Sequence, residues 1–126
     1  MRFEPEIQGE IFNAGDYQYT IIKAEDCISK ANNEQLHLVL KIEKGNKKVF
    51  IHDYILAKYT YKIKCFLESC GMKDIYTKGI IEPDLLLNLE GWARIGVKED
   101  SVHGDKNVIE QYLKTEAVEF NDTIPF

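Results

Sequence analysis

Aromatic side chains recur at every second residue along the segment KVFIHDYIL, where Phe50, His52 and Tyr54 alternate with aliphatic residues. Successive side chains of a β-strand point to opposite faces of the sheet. If the aliphatic residues enter the core, the three rings must share the outer face. Exposed rings can stack on the bases of a single-stranded nucleic acid, at roughly 1–3 kcal/mol per base and with little sequence preference.

Cationic side chains accompany these rings on two other alternating segments, LHLVLKI and WARIGVKE. In the second of these, burial of Ile95 and Val97 would turn Trp92 and the neighbouring cations outward. We expect the aromatic side chains to stack bases and the other side chains to line the path of the phosphate backbone. The predicted nucleic-acid-binding residues, which the resemblance described below assigns to DNA, are Lys30, His37, Lys41, Phe50, His52, Tyr54, Trp92, Arg94, Lys98 and Lys106. The pattern equally allows the outer face to be covered by the N-terminal residues, the helix or another subunit.

The formal net charge of -5 argues at first against a nucleic-acid partner. However, Glu116, Glu119 and Asp122 lie in the last eleven residues, which contain no Lys or Arg. Without them, 18 acidic residues face 16 basic ones, and the body carries about -2. A mildly acidic body can still present a basic face, so the charge excludes neither class of partner.

Motifs for catalysis or cofactor binding are absent from the sequence. There is no glycine-rich phosphate loop, nucleophile elbow, HExxH or paired-carboxylate signature, and the three histidines are scattered. Cys27, Cys65 and Cys70 show neither a CxxC nor a zinc spacing, so we expect reduced, partly buried thiols. The sequence predicts no enzymatic activity, no cofactor and no metal.

The chain ends in NDTIPF, in which acidic residues precede an apolar tip and the α-carboxylate. Proline restricts the backbone of this tip. A basic-rimmed apolar pocket on another protein could hold Phe126 and its carboxylate, which is a known recognition mode. A frayed terminus is the ordinary alternative. The predicted partner-binding residues are Phe120, Asp122, Ile124, Pro125 and Phe126.

Five segments have strand character, and one has the period of a helix. Apolar residues at three- and four-residue steps after Ala57 predict a helix of about twelve residues that ends at Gly71, and Pro83 predicts a short helical turn. Three strands, a helix and two strands are typical of an all-β, five-stranded Greek-key barrel of the OB type. The alternatives are an α+β sheet with one packed helix and an SH3-like barrel. The predicted strands are YQYTIIKA, LHLVLKI, KVFIHDYIL, WARIGVKE and VIEQYLK.

The length of 126 residues suits one domain. We divide it into a loosely attached N-terminal arm (1–14), an OB-fold domain (15–115) and an acidic C-terminal tail (116–126). No apolar run approaches the ~20 residues of a membrane span. The N-terminal segment MRFEPEIQGE lacks the basic start and apolar stretch of a signal peptide, so we expect a cytoplasmic protein.

Two parts of the chain resemble single-stranded DNA-binding proteins. The terminal DTIPF resembles the acidic tip of the bacterial proteins, which docks repair and replication enzymes. Asn121 and Thr123 stand where that family usually has Asp, which implies weaker docking. Residues 15 to 113 resemble the small OB-fold proteins of phage and prophage recombination or replication modules, through the segments GDYQYTIIKAED, SKANNEQLHLVLKI, FIHDYIL, YKIKCFLESCGM, LEGWARIGV and KNVIEQYL.

The resemblance implies a single-stranded DNA-binding protein of phage or prophage replication or recombination, acting in the cytoplasm of the bacterial host. It would bind with little sequence preference and recruit partner enzymes through its tip, without a membrane partner; a homo-oligomer is compatible with this. The alternative is an OB-fold protein–protein adaptor without DNA binding, for which the acidic net charge speaks. A nuclease is a third hypothesis, and it would need a carboxylate cluster that the spacing does not indicate.

Overall fold

The described part of the chain is built on a five-stranded antiparallel sheet with two helices and a 3-10 turn. The computed structural model describes residues 1–2, 11–102 and 104–114. Five strands with a helix between the third and fourth were predicted, and this arrangement is confirmed. The elements are β1 (Gly15–Ile28), β2 (Glu34–Lys44), β3 (Lys47–Leu56), α1 (Thr60–Ser69), α2 (Lys73–Lys78), the 3-10 turn (Pro83–Leu86), β4 (Glu90–Lys98) and β5 (Lys106–Leu113).

The sheet has the strand order β3-β2-β1-β4-β5, so β3 and β5 are its two edges. A closed barrel would also need a backbone ladder between these edges, and the strand pairings of the described residues do not include one. The edges are instead joined by side chains. The Tyr112 hydroxyl on β5 donates a hydrogen bond to Asp53 Oδ2 on β3 at 2.5 Å, and Lys62 Nζ on α1 lies 3.1 Å from Asp53 Oδ1. The sheet is therefore open in its backbone hydrogen bonding.

The first hairpin is longer than its sequence suggests. The predicted first strand, YQYTIIKA, ends at Ala24, but β1 continues through the polar residues that follow to Ile28 and pairs with β2 from Tyr19 to that end. The turn itself is short: the Ser29 backbone N–H donates to the carbonyl of Asn33 at 2.8 Å, and Asn32 has a φ of 63°. The predicted end of this strand was wrong because cross-strand pairing outweighs the weak strand propensity of polar residues.

A bulge at Ile22 changes the faces of β1. The register with β2 shifts between Ile21 and Lys23, which leaves Ile22 as the extra residue. A bulge reverses the alternation beyond it. Ile21 is fully buried, whereas Lys23 and Glu25 lie on the outer face and are exposed.

The inner face of the sheet packs against α1 and the 3-10 turn. Burial of each large aliphatic or aromatic side chain here contributes about 1.5–3 kcal/mol relative to exposure. The alternation of β2 is as predicted, with its leucines and Ile42 on the core side. The fully buried hydrophobic side chains of the described residues are Tyr19, Ile21, Leu38, Leu40, Ile42, Ile55, Phe66, Leu67, Leu86, Ala93 and Ile95.

The end of α1 follows the predicted stop at Gly71. Gly71 has a φ of +77°, the Met72 N–H donates to the carbonyl of Leu67 at 2.8 Å, and the Gly71 N–H donates to that of Glu68 at 3.4 Å. These two bonds form the Schellman arrangement that closes a helix. The Pro83 turn is also present, whereas α2 was not predicted.

Close contact between α1 and β4 depends on Gly91. A Cβ atom at this position would lie 2.5 Å from the Ser69 carbonyl oxygen and 2.6 Å from the Tyr19 hydroxyl. That hydroxyl contacts Ser69 Oγ, which donates in turn to the carbonyl of Phe66 at 2.7 Å. Burial of Tyr19 raises its pKa, so the phenol stays neutral and available for hydrogen bonding.

The described part of the N-terminal segment is attached to β5. Phe12 is buried, and its backbone exchanges two hydrogen bonds of 2.8 Å with the side chain of Asn107. The loosely attached arm expected for residues 1–14 therefore does not extend to Phe12. Within the described ranges, no helix is long and apolar enough to cross a membrane.

Candidate nucleic-acid interface

Three cross-strand rows of side chains cover the outer surface of β1, β2 and β3. Each row takes one residue from each strand, because the registers of the two hairpins place these residues opposite one another. Neighbours within such a row lie about 4.5–5.5 Å apart at Cβ and interact directly. The nine residues, here called the aromatic face, are Thr20, Lys41 and Phe50; Lys23, Val39 and His52; and Glu25, His37 and Tyr54.

The rings of β3 lie on the face that the alternation predicted. Phe50 is 50% exposed and Tyr54 is 49% exposed, while Ile51 and Ile55 are buried on the other side. His52 is exposed between the two larger rings. No described residue covers these rings fully, so flat apolar surface is available to a ligand.

Tyr54 lies flat against His37 on the neighbouring strand. The ring centroids are 4.5 Å apart, and the planes differ by 5°. One face of the Tyr54 ring is therefore covered by the imidazole, and a base stacking on the other face would continue the stack. His37 itself is only 9% exposed, so it would act on a ligand through its neighbours.

A hydrogen-bonded chain runs across the three strands from Glu25 to His52. His37 Nδ1 lies 3.2 Å from Glu25 Oε1, and His37 Nε2 lies 3.0 Å from His52 Nδ1. The imidazole planes differ by 17° with centroids 5.2 Å apart, so the two rings lie side by side in nearly one plane. The hydrogen bond from His37 and the nearby charge of Lys23 lower the pKa of Glu25, which keeps this carboxylate ionised.

The charge of the aromatic face is weakly positive. It carries two lysines and one glutamate, and the glutamate is engaged by His37 and Lys23. Lys41 lies 3.7 Å from Glu43, an exposed pair of little strength. Lys30 in the first turn and Lys47 and Lys48 at the second hairpin are exposed and extend the cationic surface at both ends of the strands.

Trp92 and Arg94 lie on the other half of the sheet. They are opposite Gln18 and Asp16 of β1, and Arg94 Nε lies 3.0 Å from Asp16 Oδ1. The hydrogen bond and the charge of Asp16 raise the pKa of Arg94. Trp92 is partly buried, and the guanidinium of Arg94 is already paired with a carboxylate.

The predicted DNA-binding residues thus form two groups rather than one. β4 is separated from β3 by β1 and β2, which at about 4.8 Å per strand amounts to roughly 14 Å along the sheet. The second group ends in Lys98 and Lys106, which face each other across β4 and β5 and are both exposed. Two adjacent cations of this kind can hold a phosphate group.

The predicted partner-binding residues of the tail lie outside the residues that the structure describes, as does His103. The tail residues concerned are Phe120, Asp122, Ile124, Pro125 and Phe126.

Sequence reasoning missed Glu25, Lys23 and Asp53. The first two follow the bulge at Ile22, and nothing in the local sequence marks that bulge. Asp53 faces the core side of β3, where it joins β5 to α1. An acidic residue at an inward position of an alternating strand was the one available signal, since buried carboxylates need partners.

An apolar groove of about 570 Å³ lies between the end of the first hairpin, α1 and α2. Leu36, Ile55, Ile63 and Leu67 are among its lining residues, and none of the predicted DNA-binding residues is.

In the described ranges, no three His, Cys, Asp or Glu side chains are placed to hold a metal ion. The cysteines are free thiols there, and burial raises the pKa of Cys70 to about 11.

Sequence comparisons with known proteins give no match, so a function has to be inferred from the geometry of the site. No protein-family model matches the chain, and no curated protein sequence is significantly similar to it.

Proposed function

We propose that the protein binds single-stranded DNA on the aromatic face, with little sequence preference. The observation that carries this proposal is the pair of half-exposed rings, Phe50 and Tyr54, on one strand face beside Lys41. Rings bind bases by stacking, which every base permits, and lysines bind the phosphates that connect them. Lys30, Lys47 and Lys48 would continue the phosphate contacts beyond the rings.

The sheet is proposed to be an OB-type Greek-key barrel. The order of neighbouring strands supports this proposal. β1 pairs with β2 and β4, and the edge strands β3 and β5 contact each other through Asp53 and Tyr112. The helix α1 between β3 and β4 occupies the place that it has in this architecture. In such barrels the strand 2–3 surface is the ligand face, which agrees with the aromatic face.

Trp92, Arg94, Lys98 and Lys106 would bind a continuation of the strand beyond the aromatic face. A strand that crosses from β3 to β4 would contact both groups in turn. Because Arg94 is paired with Asp16, this second group is expected to contribute less per cation than the lysines of the aromatic face. The division predicts that short oligonucleotides engage the aromatic face first.

The acidic tail would recruit replication or recombination enzymes of a phage or prophage in the bacterial cytoplasm. Its acidity and short tether would let it compete with DNA for the basic surface until DNA displaces it. Deletion of residues 116–126 should then tighten DNA binding or leave it unchanged. A clear loss of affinity in the shortened protein would contradict this role of the tail.

The decisive experiment is fluorescence anisotropy of a labelled oligo-dT at low and moderate salt. Phe50→Ala and Tyr54→Ala should each weaken binding about 5- to 150-fold, the equivalent of roughly 1–3 kcal/mol per lost stack. Tyr61→Ala is the matched control, because Tyr61 is an equally large ring that is 75% exposed on α1. The affinity of the Tyr61→Ala variant for oligo-dT should equal that of the parent protein.

Absence of binding at micromolar protein and low salt would refute the proposal. That outcome would favour a protein–protein adaptor, for which the net charge of -5 speaks. Binding that does not weaken with salt would also contradict the phosphate contacts. Cleavage of the oligonucleotide in the presence of Mg²⁺ would instead indicate a nuclease.

A further inference from the structure

We propose that His52 is a proton-dependent phosphate ligand, and that Glu25 and His37 are positioning residues that hold its ring for this contact. The inference rests on the proposed binding of single-stranded DNA. It adds that the complex holds one proton more than the free protein, on the outer nitrogen of His52.

For the chain with both imidazoles neutral, the hydrogen positions follow from its two hydrogen bonds and the ionised carboxylate. Ionised Glu25 can only accept, so His37 Nδ1 at 3.2 Å carries the proton of that bond. A neutral His37 then has a lone pair on Nε2, and His52 Nδ1, 3.0 Å away, must donate to it. His52 Nε2 is left as an unprotonated nitrogen on an exposed ring.

One further proton from solvent can enter this chain without breaking a hydrogen bond, and it enters at His52 Nε2. The imidazolium that forms keeps its Nδ1–H bond to His37 and offers a new N–H to solvent. A phosphate of a strand lying on Phe50 and Tyr54 would accept from it as a charge-assisted hydrogen bond. Since Glu25 stays ionised at the far end, its negative charge favours the protonated chain.

The neighbouring charges set the balance for His52. On β1, the charge of Lys23 opposes protonation of His52 and that of Glu25 favours it. On β2, the charge of Lys41 opposes it through space. On β3, the neighbouring side chains are the rings of Phe50 and Tyr54. A bound phosphate adds a negative charge at the one open nitrogen and tips the balance towards the protonated ring. By linkage, the affinity for DNA must then rise as the pH falls.

The stacking of Tyr54 on His37 makes the arrangement rigid. His37 is 9% exposed, so water does not compete for its two nitrogens, and the Tyr54 ring prevents its rotation out of the plane. His52 is consequently held close to the plane of His37, with its Nδ1 engaged and its Nε2 free for a ligand. Preorganisation of this kind lowers the cost of ordering a side chain upon binding.

The test is oligo-dT anisotropy with the full chain from pH 5.5 to 8.5 at constant ionic strength. The parent protein should gain affinity by about three- to tenfold per pH unit over the imidazole range, since one proton permits at most about tenfold. His52→Gln should abolish this rise in affinity with falling pH. His103→Gln removes the third histidine and is the control that should keep the full rise.

Glu25→Gln tests whether Glu25 supports the proton. Because the negative charge of Glu25 favours the protonated chain, its loss should move the rise in affinity to lower pH. A variant that binds more tightly at every pH with an unmoved profile would overturn the role of Glu25. Calorimetry in buffers of different ionisation enthalpy should show uptake of about one proton by the parent and none by His52→Gln.

The two proposals fail in different ways. No binding of oligo-dT at any pH would refute the proposed function itself. Binding with the same pH profile in the parent protein and His52→Gln would refute the proton-dependent contact and leave the DNA-binding proposal intact.

Discussion

Asp53 is expected to carry much of the link between the two edges of the sheet. Its carboxylate accepts from the Tyr112 hydroxyl at 2.5 Å, from Lys62 Nζ at 3.1 Å and from the Tyr54 backbone N–H at 3.0 Å. The side chain is 14% exposed, and Tyr112 is 3% exposed. Replacement by alanine removes the acceptor of a buried hydroxyl that water cannot reach.

The cost of Asp53→Ala follows from these burials. A buried donor left without an acceptor costs about 1–3 kcal/mol, and a hydrogen bond to a charged group contributes about 1.5–3 kcal/mol. The side chain of Lys62 is 38% exposed, so its ammonium group regains water when Asp53 is replaced. Loss of the Asp53–Lys62 ion pair therefore adds little to the cost. We expect Asp53→Ala to lower the free energy of unfolding by about 2–3 kcal/mol, a large part of the about 5–15 kcal/mol of an ordinary domain.

A double-mutant cycle with Tyr112→Phe isolates the hydrogen bond. The phenylalanine variant removes the donor and leaves Asp53 bound to Lys62, so it should cost about 1 kcal/mol. In the Asp53→Ala background the same change should cost nothing or restore up to about 1 kcal/mol, because it removes the stranded hydroxyl. The coupling energy should be about 1–2 kcal/mol.

Urea unfolding followed by fluorescence measures all four proteins, since Trp92 is the single tryptophan of the chain. Asp16→Ala is the matched control: its exposed pair with Arg94 should contribute less than about 1 kcal/mol. A loss below about 0.5 kcal/mol for Asp53→Ala, or a coupling energy near zero, would refute the idea that this contact joins the edges.

Three further predictions concern packing and titration. Gly91→Ala should lower the free energy of unfolding by about 1–3 kcal/mol, because its methyl group would meet the Ser69 carbonyl; an unchanged urea midpoint would contradict this. At pH 8, Cys70 should react with a disulfide reagent roughly a hundredfold more slowly than the other two thiols, since its pKa is raised to about 11 and it is buried; equal rates would argue against that burial. The pKa of Glu25 is lowered from 4.5, so its stabilising effect is present above that pH and is lost as the pH falls through the folded-state value. Glu25→Gln should therefore lose less stability than the parent between pH 5 and pH 3 in urea titrations.

Local patterns in the sequence were sufficient for most elements. The alternation of β2 and β3 predicted which side chains enter the core, because a period of two assigns every residue of a strand to one face. The stop of α1 at Gly71 was predicted from the left-handed backbone that glycine tolerates, and its φ of +77° agrees. The length of β1 was not predictable in the same way, since polar residues after Ala24 become a strand only through pairing with β2.

The candidate site shows the same division. The chain alone was enough to predict that Phe50, His52 and Tyr54 share a face and that lysines lie near them in sequence, because these are properties of single strands. Other features depended on the register between strands and on the bulge at Ile22. These bring Glu25 to His37 and His37 to His52, and they leave Trp92 in a separate group. Register is a relation between distant segments, decided by how all the strands bury their apolar faces together. The sequence alone therefore determined which side chains the surface would offer, and the packing of the strands determined which of them act on one another.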